Sequence, residues 1–223
     1  MKLYLVRHGE SEGNKQKIHQ GPDTRLTEVG LSQAKILAHR FKKIEIDVIL
    51  SSPFRRAMQT AEQIAQTTSK EITTDPVFRE FCWPSELQGL PFSDPEASVI
   101  RNKISSQINN PDWHFSDEEN FFDLRQRVRR AINTIKQRPE KNVLLVSHSF
   151  FITALISELV FPGATDIPSQ FIGYFRAIKY NNTGISLLAN DFDQSITNLP
   201  DFKDGYKISN WKLISFNDHS HLG

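Results

Sequence analysis

Three short apolar runs constrain this chain more than any other feature: Leu3-Tyr4-Leu5-Val6, Asp47-Val48-Ile49-Leu50-Ser51 and Asn142-Val143-Leu144-Leu145-Val146. Each is shorter than a typical helix and rich in Val, Ile and Leu, the pattern of strands buried on both faces. Helical patterns lie between them. Thr27 can cap a helix carrying Leu31, Ala34, Ile36, Leu37, Ala38 and Phe41. Ser52-Pro53 reads as an N-cap and first helical position, with Ala57, Ala61, Ile64 and Ala65 continuing the helix. Phe121, Leu124, Val128, Ala131, Ile132 and Ile135 place a long helix over about 117–138, and another follows the third run over 151–160. Alternation of this kind predicts an α/β fold: a three-layer α/β/α sandwich, its central sheet mostly parallel, with helices on both faces. Later β-like stretches are Ala177–Tyr180, Ile185–Leu188 and Tyr206–Phe216. Residues 82–116 hold Pro84, Pro91, Pro95 and Pro111 and one helix near Glu96–Ile108. They read as an insertion over one face. Without internal repeat or linker, the expected organisation is one domain over residues 1–223.

Composition removes several classes of function. The 27 basic and 26 acidic residues leave a net charge of +1, so the bulk basic signature of a nucleic-acid binder is missing. A single cysteine, Cys82, excludes an intramolecular disulfide framework and a multi-cysteine zinc site. No apolar run approaches the roughly 20 residues of a membrane span, and the apolar stretch before Arg7 is too short for a secretory core. The expectation is a soluble cytoplasmic protein without nucleic-acid or membrane partners. Its oligomeric state leaves no trace in the sequence.

In open α/β sheets, ligands bind beyond the carboxyl ends of the strands. Arg7-His8-Gly9-Glu10-Ser11 follows the first apolar run, Ser52-Pro53-Phe54-Arg55-Arg56 the second, and Ser147-His148-Ser149 the third. Any one histidine or arginine in such a place is ordinarily structural or solvated. All three together suggest a cationic pocket with paired imidazoles, suited to the oxygens of a phosphate or carboxylate. No nucleotide-binding glycine loop and no His-Glu-x-x-His pair is present.

These segments are recognisable. Leu5-Val6-Arg7-His8-Gly9-Glu10-Ser11 with Asn14 resembles the signature of the histidine phosphatase superfamily, which includes the cofactor-dependent phosphoglycerate mutases. Leu26-Thr27-x-x-Gly30-x-x-Gln33-Ala34, the block Ser52 to Ala61, Phe78-Arg79-Glu80, Val143 to His148, Asn182 to Ser186 and Asn217-Asp218 resemble later family segments in family order. The resemblance implies a phosphoglycerate mutase-like fold and a set of roles. His8 would be the nucleophile that becomes a phosphohistidine. Arg7, Arg56 and His148 would hold the transferring group, with Asn14, Gln20 and Ser149 binding phosphate or substrate. Glu80 would protonate the leaving alkoxide and then activate water. The scheme needs neither metal nor cofactor, only a small phosphorylated substrate.

Departures from the family pattern lie around the acid. The usual Gly-x-Trp-Glu-Gly after Glu80 is replaced by Cys82-Trp83-Pro84-Ser85-Glu86-Leu87-Gln88-Gly89, which makes Glu86 a local competitor. Ser149 stands where glycine is frequent, and Gly13 where mutases carry Trp before the Asn. Trp113, Phe115, Phe121 and Phe122 fit a substrate lid or an insertion core equally well. Lys15, Lys17 and Arg25 read as solvated charge, Cys82 as a small buried hydrophobe, and His219 and His221 as a disordered end. The leading expectation is a phosphatase. A phosphoglycerate mutase and a non-catalytic phosphate-binding module are the alternatives.

Overall fold

The computed structural model describes residues 1–190 and 209–223. Its centre is a six-stranded sheet made of β1 (Lys2–Arg7), β2 (Val48–Ser51), β3 (Ile72–Thr74), β4 (Asn142–Ser147), β5 (Ile185–Ala189) and β6 (Lys212–Asp218), in the order β3-β2-β4-β1-β5-β6. The pairs β3–β2, β2–β4 and β4–β1 are parallel, while β5 and β6 add an antiparallel edge. The three apolar runs of the sequence are therefore adjacent strands. β4, between the other two, is buried on both faces, which is why its sequence runs apolar without alternation.

The pleat divides each of these runs between two cores. Leu3, Leu5, Val143 and Leu145 face α5 (Phe121–Lys136) and α6 (Ser149–Val160). Val6, Leu144 and Val146 face α2 (Glu28–Phe41) and α3 (Arg55–Thr68). The result is the expected three-layer arrangement of helices on both faces of a mostly parallel sheet.

Local chemistry sets the ends of these elements. Thr27 caps α2, its Oγ1 accepting from the Gly30 N–H at 2.9 Å. Asn120 caps α5 in a reciprocal capping box with Asp123, so the helix starts at Phe121 and not near 117. The Glu118 carboxylate just before it binds the Phe115 and Ser116 N–H groups and holds the preceding turn. The Ser52-Pro53 start is also corrected. α3 begins at Arg55 after an extended Phe54, because Ser52 Oγ takes the Phe54 N–H and turns toward His148 instead.

Ala177–Tyr180 is not a strand. The helix α7 (Pro168–Ala177) runs into it, and Tyr180 beyond is buried with its hydroxyl on Ser186 Oγ at 2.7 Å. The stretch read as β over 206–216 holds β6 from Lys212, and residues 206–208 lie outside the described residues. Two further helices are α1 (Glu12–Gln16), which follows β1 directly, and α4 (Pro95–Ser106), whose Arg101 lies 3.0 Å from His19 Nε2. The C-terminal histidines are packed, not loose. His221 reaches Thr183 Oγ1 at 3.1 Å and Arg40 at 3.3 Å, and His219 lies 3.1 Å from Asn181 Nδ2.

Candidate active site

Register brings the site together. β1 and β4 pair in parallel with Arg7 opposite Ser147, so the next residues, His8 and His148, leave the sheet at the same level. β2 pairs with β4 so that Ser51 lies opposite Val146, which delivers Ser52 and then α3 beside them. The His8 and His148 rings are 5.1 Å apart between centroids, and both are buried.

The partners of His8 determine its tautomer. Nδ1 lies 2.7 Å from the Gly9 carbonyl, which can only accept, so Nδ1 carries the proton. Nε2 then presents a lone pair, and the Arg56 Nε–H donates to it at 3.3 Å. Burial, followed by the Arg56 and Arg7 cations, holds the pKa of His8 well below the ordinary histidine value. His148 is lowered in the same way, by burial first and then by Arg56, His8 and Arg7. With no anion present, both imidazoles are neutral at pH 7.

Arg56, buried, and Arg7, half-buried, are unusual cations for such positions. Neither lies within salt-bridge distance of a carboxylate among the described residues. Arg7 donates to the Tyr180 carbonyl, and Arg56 donates to the Gly21 carbonyl at 2.9 Å. Burial brings Arg56 down to about 10, opposed by the charge of Glu80. Two buried nitrogens, Arg7 Nε and His148 Nδ1, have no hydrogen-bond partner. An orphaned buried polar atom costs about 1–3 kcal/mol. The pocket thus has two cations without a directly paired anion and two unsatisfied nitrogens. An oxyanion would satisfy both deficits.

Glu80 lies on the rim. Its Oε1 accepts from the Phe81 N–H at 2.9 Å and the Phe151 N–H at 3.0 Å, and its Oε2 from the Phe150 N–H at 3.3 Å. The carboxylate thus sits on the first turn of α6, where the helix dipole favours negative charge, and its field reaches Arg7 and Arg56. Glu86 is elsewhere. It is exposed, and its Oε2 takes the Ser116 hydroxyl at 2.8 Å.

Asn14 closes the opposite side. Its Oδ1 accepts from the Ser11 N–H at 3.2 Å and from Asn182 Nδ2 at 3.2 Å, and the same Asn182 amide holds the His8 carbonyl at 2.9 Å. Gln20 Oε1 accepts from Ser11 Oγ at 2.6 Å, and its side chain lies across Gly13. A Cβ at Gly13 would come 2.2 Å from Gln20 Cγ. Ser149 opens α6 and is half-buried beside His148. Phe121 joins the main core rather than a lid, and Lys15, Lys17 and Arg25 are exposed.

Several supporting residues escaped sequence reasoning. Ser52 Oγ is 2.8 Å from His148 Nε2. Thr60 Oγ1 accepts the Gly9 N–H at 3.1 Å and donates to the Arg56 carbonyl at 2.9 Å, tying the loop after β1 to α3. The Thr183 N–H donates to the Arg7 carbonyl at 3.0 Å. All three lie in the recognised segments, but Ser52 to His148, Thr60 to Gly9 and Thr183 to Arg7 each span more than 40 positions, so their roles carry no local signal. Among the described residues, no group of three or more His, Cys, Asp or Glu is placed to hold a metal ion, and no helix is long and apolar enough to cross a membrane.

Comparison with known proteins follows the same lines. The family model described as "Histidine phosphatase superfamily (branch 1)" matches residues 3–194. A Hydrogenobacter thermophilus protein named "Putative phosphoserine phosphatase 2" is 33% identical over 159 residues, 70% of this chain and 76% of its own. The "Probable phosphoglycerate mutase GpmB" of Proteus mirabilis is 34% identical over 226 residues, covering 100% of this chain and 95% of its own. The crystal structure of a mutant phosphoserine phosphatase from Entamoeba histolytica, in complex with phosphoserine, superposes with a TM-score of 0.72 at 26% identity, covering 100% of this chain and 99% of that one. With the family model running from β1 through β5 and taking in both histidines, the chain belongs to the histidine phosphatase superfamily, branch 1.

Proposed function

We propose that the protein is a phosphatase that hydrolyses phosphate monoesters through a phosphohistidine on His8. The observation that carries this reading is the pair of guanidiniums, with no carboxylate in salt-bridge range, and two orphaned nitrogens around a neutral imidazole whose Nε2 carries a lone pair. The phosphoryl group enters against Arg7 and His148, and Arg56 Nε moves from His8 Nε2 to a phosphate oxygen. That movement frees the lone pair to attack phosphorus. The N–P bond forms as the P–O bond to the alcohol breaks, and Glu80, which takes up a proton from solvent when substrate binds, gives that proton to the departing alkoxide. Water then attacks the phosphohistidine and loses its proton to Glu80, releasing phosphate and neutral His8. His148 becomes cationic once the phosphate dianion is bound, adding charge where it develops.

Glu80 is preferred to Glu86 as the acid because it shares the first turn of α6 with the His148 end of the pocket. Asn14, Gln20 and Ser149 are assigned to the phosphate or its ester group. Residues 82–116 are taken as the insertion of a single domain that covers the site. In support, Gly89 donates to the His19 carbonyl at 2.9 Å, and His19 donates to the Leu90 carbonyl at 2.9 Å, beside the Gly21 that holds Arg56. The substrate is a small phosphate ester. We place the protein in the cytoplasm, where such charged esters are retained.

A phosphoglycerate mutase is the second reading, favoured by the full-length relative of that name. Against it, Gln20 fills the space over Gly13, leaving no room for the Trp of the mutase pattern. Purified protein incubated with 3-phosphoglycerate, with and without 2,3-bisphosphoglycerate, separates them. Release of inorganic phosphate from a metabolite panel, lost in His8→Ala, supports the phosphatase. Conversion of 3-phosphoglycerate to its isomer dependent on the bisphosphate supports the mutase. Inactivity across the panel leaves the phosphate-binding module.

A further inference from the structure

We propose that Arg127, with Glu119, is a positioning residue for the acid Glu80, an inference that rests on the role assigned to Glu80 above. Arg127 occupies a place in α5 where the spacing calls for an apolar residue. It lies between Leu124 and Ala131, and all three side chains are buried. A charge in such a place costs several kcal/mol of desolvation unless every donor is satisfied. Here every donor is. Nε and Nη2 form a fork on the Glu119 carboxylate at 2.6 and 2.5 Å. Nη1 donates to the carbonyls of Val77 at 3.1 Å and Arg79 at 2.7 Å, and Nη2 donates to the Glu80 carbonyl at 3.4 Å.

The targets are what make this more than a packed ion pair. After the short 3-10 turn Pro76–Phe78, residues 79–84 belong to no helix or strand. Arg127 takes three carbonyls of the segment Val77–Glu80, and Glu119 fixes the flanks. Its carboxylate accepts from Arg79 Nη2 at 3.3 Å, and its N–H donates to the Cys82 carbonyl at 3.0 Å. The backbone of the proposed acid is therefore held on both sides by one buried ion pair.

The clamp also reaches the other end of Glu80. The guanidinium lies over the Phe151 ring, 5.1 Å from its centroid, and the Phe151 N–H is one of the two amides that hold Glu80 Oε1, at 3.0 Å. Arg127 thus fixes the acid's backbone directly and packs on the residue whose amide anchors its carboxylate. General-acid catalysis needs a heavy-atom distance of about 2.6–3.2 Å in the reacting complex. A loose irregular segment would not keep that distance.

A purely structural ion pair would slow all substrates together, whereas a positioning pair slows those that need the proton. The experiment measures phosphoenzyme formation before the steady state with an alkyl phosphate, whose alkoxide needs an acid, and with p-nitrophenyl phosphate, whose phenolate leaves nearly unaided. The proteins are the wild type, Glu80→Gln, Arg127→Lys, Glu119→Gln and each clamp variant combined with Glu80→Gln. Circular dichroism and a thermal melt establish folding. Arg127→Lys keeps the charge but not the fork, and Glu119→Gln keeps the shape but not the charge. Expected is a loss of about 10- to 100-fold with the alkyl phosphate, little change with p-nitrophenyl phosphate, and no further loss on adding either clamp change to Glu80→Gln. If Glu80→Gln discriminates between the substrates and the clamp variants do not, the positioning role alone is overturned. If Glu80→Gln slows both substrates equally, the role of Glu80 falls and the clamp with it. Loss of the fold in both clamp variants assigns the pair to stability and overturns the proposal.

Discussion

Burying two imidazoles beside two guanidiniums couples stability to pH in a direction the structure dictates. His8 and His148 are held neutral, by burial first and then by the arginines. In the unfolded chain each returns to a pKa of about 6.5. Below that pH the unfolded state binds protons that the native state refuses. Stability contributed by the neutral imidazoles is therefore complete above about pH 6.5 and lost as pH falls, at up to about 1.4 kcal/mol per pH unit for each histidine. Between pH 7.0 and 5.5 the loss is up to about 1.2 kcal/mol for each. In a chain of 223 residues, that moves a melting temperature by about 2–5 °C. Other histidines titrate as well. Buried His19, lowered to about 4 by burial and by Arg101, adds a loss of the same sign. The assay is therefore a comparison of proteins: thermal melts of wild type, His8→Asn and His148→Asn at pH 7.0 and 5.5 in buffer free of phosphate and sulfate. Each variant should lose less stability on acidification than the wild type, by up to about 1.2 kcal/mol. Melting temperatures that fall in parallel for all three would mean that these imidazoles titrate normally in the folded state, and the neutral resting nucleophile would have to be abandoned.

Three further outcomes follow from the same geometry. Sulfate, a dianion throughout pH 5.5–7.5, should bind more tightly as pH falls, by up to about tenfold per pH unit where one proton is taken up. Titration calorimetry should show that dependence vanish in His148→Asn, and persistence there would locate the proton elsewhere. At Gly30 a Cβ would lie 1.9 Å from the Glu10 carbonyl oxygen. Gly30→Ala should therefore cost about 1–3 kcal/mol in denaturant unfolding, and unchanged stability would show that the first turn of α2 does not pack on the loop after β1 as described. Glu86→Gln should leave turnover of an alkyl phosphate within about twofold of the wild type while Glu80→Gln lowers it by 10²–10⁴-fold, and the reverse ranking would transfer the acid to Glu86.

How much of this was legible in the sequence depends on range. The three runs beginning at Leu3, Asp47 and Asn142 were readable as strands because a strand buried on both faces has no polar side to interrupt it. Once they are parallel neighbours, the residues that follow them must meet, so His8, Arg56 and His148 could be named before any coordinates. The edge strand β3 gave no such signal. It has three residues, largely exposed, and is held by pairing with β2 alone. The start of α3 was misread because Ser52 had a second use, holding His148, that outweighed its capping propensity. Tyr180 was misread because its β-like character serves burial and a hydroxyl bond to Ser186 at the end of a helical turn. Arg127 was invisible for a different reason. Its place between Leu124 and Ala131 is an apolar one by spacing, but in a helix with several arginines it reads as one more solvated charge.

The central claim is that His8 carries the phosphoryl group, and trapping that intermediate tests it most directly. Protein mixed for milliseconds with a phosphate-labelled monoester and quenched in alkali should hold label that survives base and is released by acid, the behaviour of a phosphoramidate. Mass spectrometry of the digest should place the label on the peptide containing His8. The same protocol on His8→Ala should recover none. Label that persists on His8→Ala, or that maps to another residue in the wild type, would contradict the account.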